Sequence, residues 1–299
     1  MKVFPKEEGW LRFLPNSNFI KDNKMLRNYS NSRTLGDNIK LGTLTAFTAG
    51  TINIASLLIF LSFTSNVTGH YAILAAEISK GNWTQVAVVG GWIFLFFFGS
   101  FLSNFIVINF NKKSKYFAHA MPIVLEIVCL LFVGIYGQLF YRKTLEETEA
   151  LVALMLFATG LQNGLTASIS NFSVKTTHLT GTTTDLGILF SMFTQKKYRK
   201  NPELTARAKL LTSIMLAYVL GAVFSGLTYY YLEFRVFYII SLCLLVVIGY
   251  DAYKIHVRHF NTKYRYSKIY KRPNLLAYLY DKIHGIPKRK EKRKLLFED

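Results

Sequence analysis

Four polar side chains interrupt long apolar stretches of the sequence, and they are its first candidates for chemistry. Three are carboxamides, Asn53, Gln162 and Asn163, and the fourth is Glu126, the only carboxylate well inside a long apolar run. An unpaired amide or carboxyl group is costly in apolar surroundings, so each needs a partner. The amides either bond between neighbouring helices and hold a bundle together, or contact a bound substrate. Glu126 is either a protonated structural residue or a group that exchanges a proton or binds a cation.

Two Thr-Gly pairs, Thr68-Gly69 and Thr180-Gly181, form a second set of candidates, because each opens a short apolar segment. Glycine permits a sharp turn and close backbone approach, while threonine can cap the helix that follows. The start of a helix carries a partial positive charge and free N–H donors, which suit an anionic group. The alternative is that the pairs are tightly packed helix starts. Asp185, five residues after Thr180, is either a cap or a second group for proton or ion coupling.

The apolar runs around these residues have the length of membrane-spanning helices. A helix needs roughly 20 mainly apolar residues to cross roughly 30 Å of hydrocarbon. Six runs qualify: Leu41 to Phe63, Val86 to Asn109, His119 to Phe140, Ala150 to Asn171, Ala208 to Tyr230 and Val236 to Ala252. With 51% hydrophobic residues overall, the sequence predicts an all-α, polytopic membrane protein with about six transmembrane helices.

Lysine and arginine residues alternate between the connections of these helices. With both tails in the cytoplasm, 31 positive charges of the loops and tails lie inside and four lie outside. Cytoplasmic loops are enriched in these residues, so we expect both termini in the cytoplasm and the protein in the plasma membrane. The chain then divides into a basic N-terminal tail (1–40), a single transmembrane domain (41–255) and a basic C-terminal tail (256–299).

Two further apolar segments, Val67 to Ser79 and Leu179 to Phe193, are too short to cross, and we expect re-entrant or interfacial half-helices there. They belong to an internal repeat, since in both halves of the chain an Asn follows a Gly by three residues and precedes a Thr-Gly pair. The halves, about 41–140 and 150–252, hold three spans each, and an odd number inverts one half relative to the other. Inverted repeats around interrupted helices are a recurrent transporter plan, with the substrate near the bilayer midplane.

Four motifs carry a resemblance to a known family. They are Ala49-Gly50-Thr51-Ile52-Asn53, Ser65-Asn66-Val67-Thr68-Gly69-His70, Gly160-Leu161-Gln162-Asn163 and Thr180-Gly181-Thr182-Thr183-Thr184-Asp185-Leu186-Gly187. In this order, over roughly residues 40–255, the chain resembles the YoaK-like family of small microbial membrane proteins, a domain of unknown function. The resemblance implies an integral membrane protein of about six spans and supplies no reaction. Members often carry Asp at the position of Asn53, so any proton or cation role there would pass to Glu126 or Asp185 in this chain.

The basic tails predict contact with the membrane surface. The run Tyr253 to Arg272 interleaves Lys and Arg with aromatic residues, which is typical of segments that bind anionic lipid headgroups. No recognisable nucleic-acid fold accompanies the tails, so nucleic acid is not an expected partner. His70 and His178 flank the two Thr-Gly pairs but fall on opposite faces of the membrane in this topology, and we expect neither a metal site nor a cofactor.

Two functions remain open from the sequence. It holds no motif of a nucleophile with its base or of a catalytic metal, so an enzyme is not expected. The leading hypothesis is a transporter of an unidentified small molecule or ion, built from two inverted three-helix halves, with both Thr-Gly half-helices lining its site. The alternative is a non-transporting membrane scaffold or regulator whose basic tails bind lipid or a partner.

Overall fold

The computed structural model describes residues 35–111 and 114–249, and all regular structure in these residues is helical. The helices are α1 Leu35–Phe60, α2 Val67–Lys80, α3 Trp83–Phe110, α4 Lys115–Leu139, α5 Leu145–Ile169, α6 Leu179–Phe193, α7 Lys196–Arg199, α8 Pro202–Leu232 and, after a 3₁₀ turn at Glu233–Arg235, α9 at 236–249. Most of both basic tails, and the lipid contacts predicted for them, lie outside the described residues.

Five helical stretches of the described chain are long and apolar enough to cross a membrane. They are Leu35–Phe60, Trp83–Phe110, Tyr116–Leu139, Leu145–Ile169 and Pro202–Gly249, the last of which combines α8, the turn and α9. The predicted all-α, multi-pass architecture is confirmed at this level. The fifth predicted span and residues 236–249 of the sixth fall within Pro202–Gly249, because a three-residue helical turn joins them where the sequence suggested a loop. The end of the sixth predicted span, to Ala252, lies outside the described residues.

Polar cap residues explain where several helices begin. A cap side chain accepts a hydrogen bond from a first-turn N–H that has no partner within the helix. The caps with such bonds are Asn66 for α2, Asn82 for α3, Ser114 for α4, Thr144 for α5 and Asn201 for α8. Helices α3, α4, α5 and α8 therefore start several residues before the predicted apolar runs, since a cap sets a helix start that hydropathy does not detect.

The contacts between helices fix their directions. Helix α1 runs parallel to α8, and α3 runs parallel to α5, whereas α5 runs antiparallel to both α1 and α4. The contacts between parallel helices are Gly42 with Ile214, Gly50 with Tyr218, Trp92 with Glu149 and Ser100 with Gly160. The contacts of α5 with its antiparallel neighbours are Thr48 with Gln162 and, in the loop that follows α1, Thr64 with Thr159, and for α4 they are Glu126 with Gln162 and Tyr136 with Glu147. The starts of α1, α4 and α8 consequently share one end of the bundle with Lys196–Arg199, which we call the basic end.

Helices α1 and α8 touch backbone to backbone at two glycines. A Cβ built on Gly50 would overlap the carbonyl oxygen of Tyr218, and one built on Gly221 would overlap the carbonyl oxygen of Phe47. Thr51 Oγ1 also donates a hydrogen bond to the Gly221 carbonyl oxygen at 3.1 Å. Small residues permit this closeness between membrane helices.

Helices α3 and α5 meet in the same manner. A Cβ built on Gly160 would overlap the carbonyl oxygen of Phe96, and one built on Gly99 would overlap the carbonyl oxygen of Phe157. Ser100 Oγ donates to the Gly160 carbonyl oxygen at 3.0 Å. The bundle is thus built around two glycine crossings, one between α1 and α8 and one between α3 and α5.

The chain turns back at Glu233–Arg235, at the end of the bundle away from the basic end. Phe234 packs there against Phe60 of α1, with the ring centroids 5.9 Å apart. Beyond the turn, Phe237 and Leu244 are fully buried in the core that contains the inner face of α4. A straight continuation would carry α9 out of the bundle, so α9 runs back along α4 toward the basic end.

Helices α2 and α6 are separate short helices, as the sequence predicts. They have 14 and 15 residues, about 21 to 23 Å at 1.5 Å per residue, which is less than the hydrocarbon thickness. Helix α6 has the predicted bounds, and α2 ends one residue later than predicted, at Lys80, before Gly81 with its φ of 72°. Helix α2 packs against α3 and α6 packs against α8. Their re-entrant or interfacial placement stays a prediction.

Candidate functional site

A buried polar cluster joins α1, α4, α5 and the loop before α6, and it consists of Thr48, Glu126, Gln162 and Thr176. Gln162 Nε2 donates to Glu126 Oε1 at 3.0 Å and to Thr48 Oγ1 at 2.8 Å. Thr176 Oγ1 has one hydrogen to donate, and it lies 3.4 Å from Gln162 Oε1 and 3.3 Å from Asn163 Oδ1. All four residues are at most 1% exposed. The carboxamide of Gln162 therefore links the other three members.

Glu126 is the ionisable member of the polar cluster and is 0% exposed. Its Oε1 accepts the bond from Gln162, whereas its Oε2 has no hydrogen-bond partner among the described residues. No ion pair involving Glu126 occurs in that part of the chain either. Glu126 is therefore a buried carboxyl group with one bonded oxygen and one oxygen without a partner in the described chain, and its role in proton exchange stays a prediction.

Asn53 holds the loop between α1 and α2. Its Oδ1 accepts hydrogen bonds from the backbone N–H groups of Thr64 and Ser65, both at 3.0 Å. Ser65 Oγ lies 3.2 Å from the Tyr218 hydroxyl of α8, which fixes the loop from a second helix. The side chain of Asn53 is buried by these contacts and lies within the protein.

Asn163 holds the loop between α5 and α6 in a corresponding way. Its Oδ1 accepts a hydrogen bond from the Thr176 backbone N–H at 3.2 Å, and its Nδ2 donates to Thr177 Oγ1 at 2.6 Å. The two asparagines that the sequence repeat pairs with one another thus each bind the loop that leads into a short helix.

The two loops converge on the middle of α5. Thr159 Oγ1 donates to the carbonyl oxygen of Thr64 at 2.9 Å, while Gln162 and Asn163 contact Thr176. Thr159 and Gln162 are three residues apart, about 4.5 Å along the helix axis. Polar groups of both halves therefore meet within one turn of α5.

The two Thr-Gly pairs lie outside this cluster. Thr68 and Thr180 are exposed at the starts of α2 and α6. Neither caps its helix as expected: Asn66 caps α2 by accepting from the Gly69 N–H at 3.0 Å, and α6 starts after His178, which makes no side-chain cap bond. A Cβ on Gly69 would meet the side chain of Asn66, and one on Gly181 would meet that of His178. The side chain three positions earlier thus occupies the space beside each glycine and would have to move for a larger residue.

Asp185 differs from Glu126. Its side chain is 41% exposed, and its Oδ2 accepts a hydrogen bond from Arg207 of α8 at 2.8 Å. Asp185 is therefore paired with a cation from another helix, and its role in proton or ion coupling stays a prediction. Glu77, on α2, is also paired, and hydrogen bonds from Lys80 and Asn82 hold the pKa of its carboxyl group below the usual value.

A cavity of about 630 Å³ lies at the basic end, beside the start of α6. Its polar wall is formed by Asn38, Lys175, His178, Asp185 and Arg207, together with the backbone of Gly181. The predicted site residues thus do not form one site. Asn53, Gln162, Asn163 and Glu126 belong to the interior, Gly181 and Asp185 line this cavity, and Thr68, Gly69 and Thr180 belong to neither.

Sequence reasoning missed the hydroxyl groups of the interior. Thr48 donates to the Thr45 carbonyl oxygen of its own helix at 2.9 Å, and Tyr218 reaches the first loop from α8. The one hydroxyl hydrogen of Thr159 is shared between the carbonyl oxygens of Thr64 and of Met155 in its own helix, at 2.9 and 3.0 Å. A threonine in an apolar helix satisfies itself locally and gives little signal. The one weak signal for Thr48 and Thr159 was that each lies within one turn of a glycine of the internal repeat.

The comparisons with known proteins agree with the sequence resemblance. No curated protein and no solved structure matches the chain. A family profile, described as protein of unknown function (DUF1275), matches residues 41–250. The YoaK-like family is part of that family, so the resemblance is confirmed. The matched range contains the glycine crossings, the polar cluster and both loops, and over it the chain belongs to the DUF1275 family of proteins of unknown function.

Proposed function

We propose that this protein is a membrane transporter of a small molecule or ion, built from two inverted three-helix halves around the polar cluster. The observation that carries the proposal is the recurrence of one contact pattern in both halves of the chain. The repeat places Gly50 opposite Gly160 and Asn53 opposite Asn163. Each of these residues makes the same kind of contact as its counterpart.

The glycine crossings follow the same correspondence. In the first crossing, Gly50 contacts Tyr218, and the corresponding contact of the second crossing is that of Gly160 with Phe96. Likewise, the contact of Gly221 with Phe47 corresponds to that of Gly99 with Phe157. In all four helices the contacted aromatic residue precedes the glycine by three positions. The pairs are Phe47 and Gly50, Phe157 and Gly160, Tyr218 and Gly221, and Phe96 and Gly99. A matched set of contacts of this kind supports an inverted repeat in three dimensions.

Six crossings fit this arrangement better than five. As a single straight helix, the 48 residues of Pro202–Gly249 would be about 72 Å long, more than twice the hydrocarbon thickness. The reversal at Glu233–Arg235 divides that length between α8 and the returning helix α9, and the predicted sixth span continues beyond the described part of α9 to Ala252. Both termini would then lie on one side, and the excess of Lys and Arg at the basic end favours the cytoplasm for that side. The plasma membrane is the proposed location.

The polar cluster supplies the proposed coupling group. Alternating access requires two gates around a fixed central site, and the two loops that converge on α5 are placed to act as those gates. Glu126 would load a proton when one loop opens and release it when the other opens. Gln162 bonds to Glu126 and to the second loop, so loop movement would change the surroundings of the carboxyl group.

Solute uptake into proteoliposomes tests the proposal. The full-length protein is reconstituted and offered a panel of metabolites under an imposed pH gradient. We expect wild-type protein to take up at least one solute, Glu126→Gln to lose the dependence on the gradient, and the matched exposed variant Glu146→Gln to behave as wild type. Folding of each variant is checked by gel filtration. Absence of solute uptake by folded protein, together with specific binding of a partner to the basic tails, would support the scaffold alternative.

A further inference from the structure

His70, in the first turn of α2, is a buried side chain that the polar cluster does not contain. It is 3% exposed, and its Nε2 atom lies 2.8 Å from the carbonyl oxygen of Phe63. Phe63 belongs to the first loop, residues 61–66 between α1 and α2. A carbonyl oxygen can only accept a hydrogen bond, so Nε2 carries the hydrogen and donates it. The side chain of His70 therefore binds the backbone of the first loop.

The ring of His70 packs against Trp92 of α3. The two ring centroids are 5.4 Å apart and the ring planes make an angle of 69°, which is the edge-to-face arrangement that aromatic rings favour. Trp92 Nε1 in turn donates to the carbonyl oxygen of Glu149, near the start of α5, at 3.1 Å. Because Trp92 is anchored to α5, its contact fixes His70 and, through the bond to Phe63, the first loop.

The buried position of His70 leaves one of its polar atoms without a partner. Nδ1 has no hydrogen-bond partner among the described residues, although protein encloses it. A buried polar atom without a partner is unfavourable, and this atom would regain a hydrogen bond in water. The closed loop thus gains the bond to Phe63 and the contact with Trp92, and it loses the hydration of Nδ1. Such opposing contributions keep the free energy of local opening small, as a moving gate requires.

The second loop, between α5 and α6, is held in a different way. Thr182 takes the place of His70 there, since each residue directly follows the Thr-Gly pair of its half. The hydroxyl group of Thr182 donates to the carbonyl oxygen of His178, at the start of its own helix, at 3.0 Å. Asparagine side chains bind both loops, whereas in the described chain the contact made by His70 restrains the first loop alone.

We infer that His70 is a positioning residue of the first gate: its hydrogen bond to Phe63 and its contact with Trp92 keep the first loop closed against α5. The bond of Thr159 to the carbonyl oxygen of Thr64 marks that closed position. The inference rests on the proposed function, in which the two loops are the gates, and it names the contact that controls one of them. Loop opening is measured without any solute, so a loop released by His70 substitutions in a protein that transports nothing would contradict the proposed function alone.

The reactivity of a buried cysteine with a fluorescent maleimide, in detergent-solubilised full-length protein, measures how often a loop opens. Thr64→Cys is the probe of the first loop. Thr64 is 0% exposed, its hydroxyl group has no partner in the described chain, and its bonds to Asn53 and Thr159 use the backbone. Val174→Cys is the matched probe of the second loop, since Val174 is also 0% exposed. Each probe is placed in a cysteine-free background.

Three substitutions of His70 separate its two contacts. We expect His70→Leu, which has no donor, to raise the labelling rate of Thr64→Cys about two- to tenfold, the range for loss of one hydrogen bond. His70→Ala, which also loses the contact with Trp92, should raise the rate further. His70→Gln, whose amide can donate to Phe63, should restore a rate near that of the unsubstituted protein. Tyr71→Leu, the control at the next and exposed position of α2, should change nothing.

Val174→Cys distinguishes release of one gate from general loosening, because a destabilised bundle would expose both loops. Its labelling rate should therefore stay the same in every His70 variant. The inference is overturned if His70→Leu leaves the labelling of Thr64→Cys unchanged, if His70→Gln reacts as fast as His70→Leu, or if both probes gain reactivity together.

Discussion

Replacement of a single crossing glycine by alanine should separate close helix packing from ordinary helix propensity. Gly99 of α3 is the test position, because a Cβ there would overlap the Phe157 carbonyl oxygen and lie 3.0 Å from the Leu161 nitrogen. Gly90 is the matched control on the same helix, since a Cβ built there has nothing within 4 Å. Both variants add the same methyl group to α3.

The magnitude follows from which atoms the new methyl group meets. Overpacking costs roughly 1 to 3 kcal/mol, and the atoms met by Gly99→Ala belong to the backbone of α5, which cannot rotate away. We therefore expect a loss of about 3 kcal/mol. Gly90→Ala should gain about 0.5 to 1 kcal/mol, because alanine loses less conformational freedom than glycine when a helix forms. The two variants should differ by about 3.5 to 4 kcal/mol.

Reversible unfolding with sodium dodecyl sulfate in mixed micelles, followed by circular dichroism, measures these free energies. The α1–α8 crossing supplies a second, independent pair, because Gly221 contacts Phe47 whereas Gly226 has open space around it. Gly221→Ala should behave like Gly99→Ala, and Gly226→Ala like Gly90→Ala. If both members of each pair unfold with the same free energy to within about 0.5 kcal/mol, the glycine crossings do not hold the bundle together and the reasoning is refuted.

Two further predictions concern the loops and the topology. Asn53→Ala should cost about 2 kcal/mol or more of unfolding free energy in the same assay, because two backbone N–H groups lose their acceptor. The control Asn109→Ala should stay within about 0.5 kcal/mol of wild type, since Asn109 is exposed and its hydrogen bond lies within α3. Equal effects of the two substitutions would contradict the role of Asn53 in holding the loop. In intact cells with a cysteine-free background, an impermeant thiol reagent should label Glu146→Cys and leave Lys197→Cys and Asp299→Cys protected. Labelling of Asp299→Cys from outside would require an odd number of crossings and would contradict the six-span topology.

The interior amides could be predicted from the sequence because a polar group in an apolar run stands out. Asn53, Gln162 and Glu126 are buried and bonded as their positions suggested. Which groups they bond to could not be predicted, since Glu126 and Gln162 are 36 residues apart and meet only after α4 and α5 pack. The sequence offered substrate contact and bundle packing as alternatives, and the bonds to Thr48 and to the loops are compatible with both.

The exposed candidates were less predictable. The sequence placed Asp185 in an apolar segment, but its pairing depends on Arg207, which lies 22 residues later on a different helix. Thr68 was the expected cap of α2, whereas the carboxamide of Asn66 takes that position, since asparagine is as favourable a cap and stands one residue before the helix. The turn at Glu233–Arg235 was expected as a loop because Arg235 is charged, yet three residues sufficed to reverse the chain.

Proton movement in dye-filled liposomes tests the central claim most directly. Full-length protein is reconstituted with a pH-sensitive dye inside, and a solute taken up in the proteoliposome screen is added outside. The account predicts that wild-type protein acidifies the interior when the solute is added, that Glu126→Gln abolishes the change, and that Glu146→Gln preserves it. If the solute enters without protons, or if Glu126→Gln keeps the wild-type rate and pH dependence, Glu126 is a structural residue and the proposed coupling is wrong.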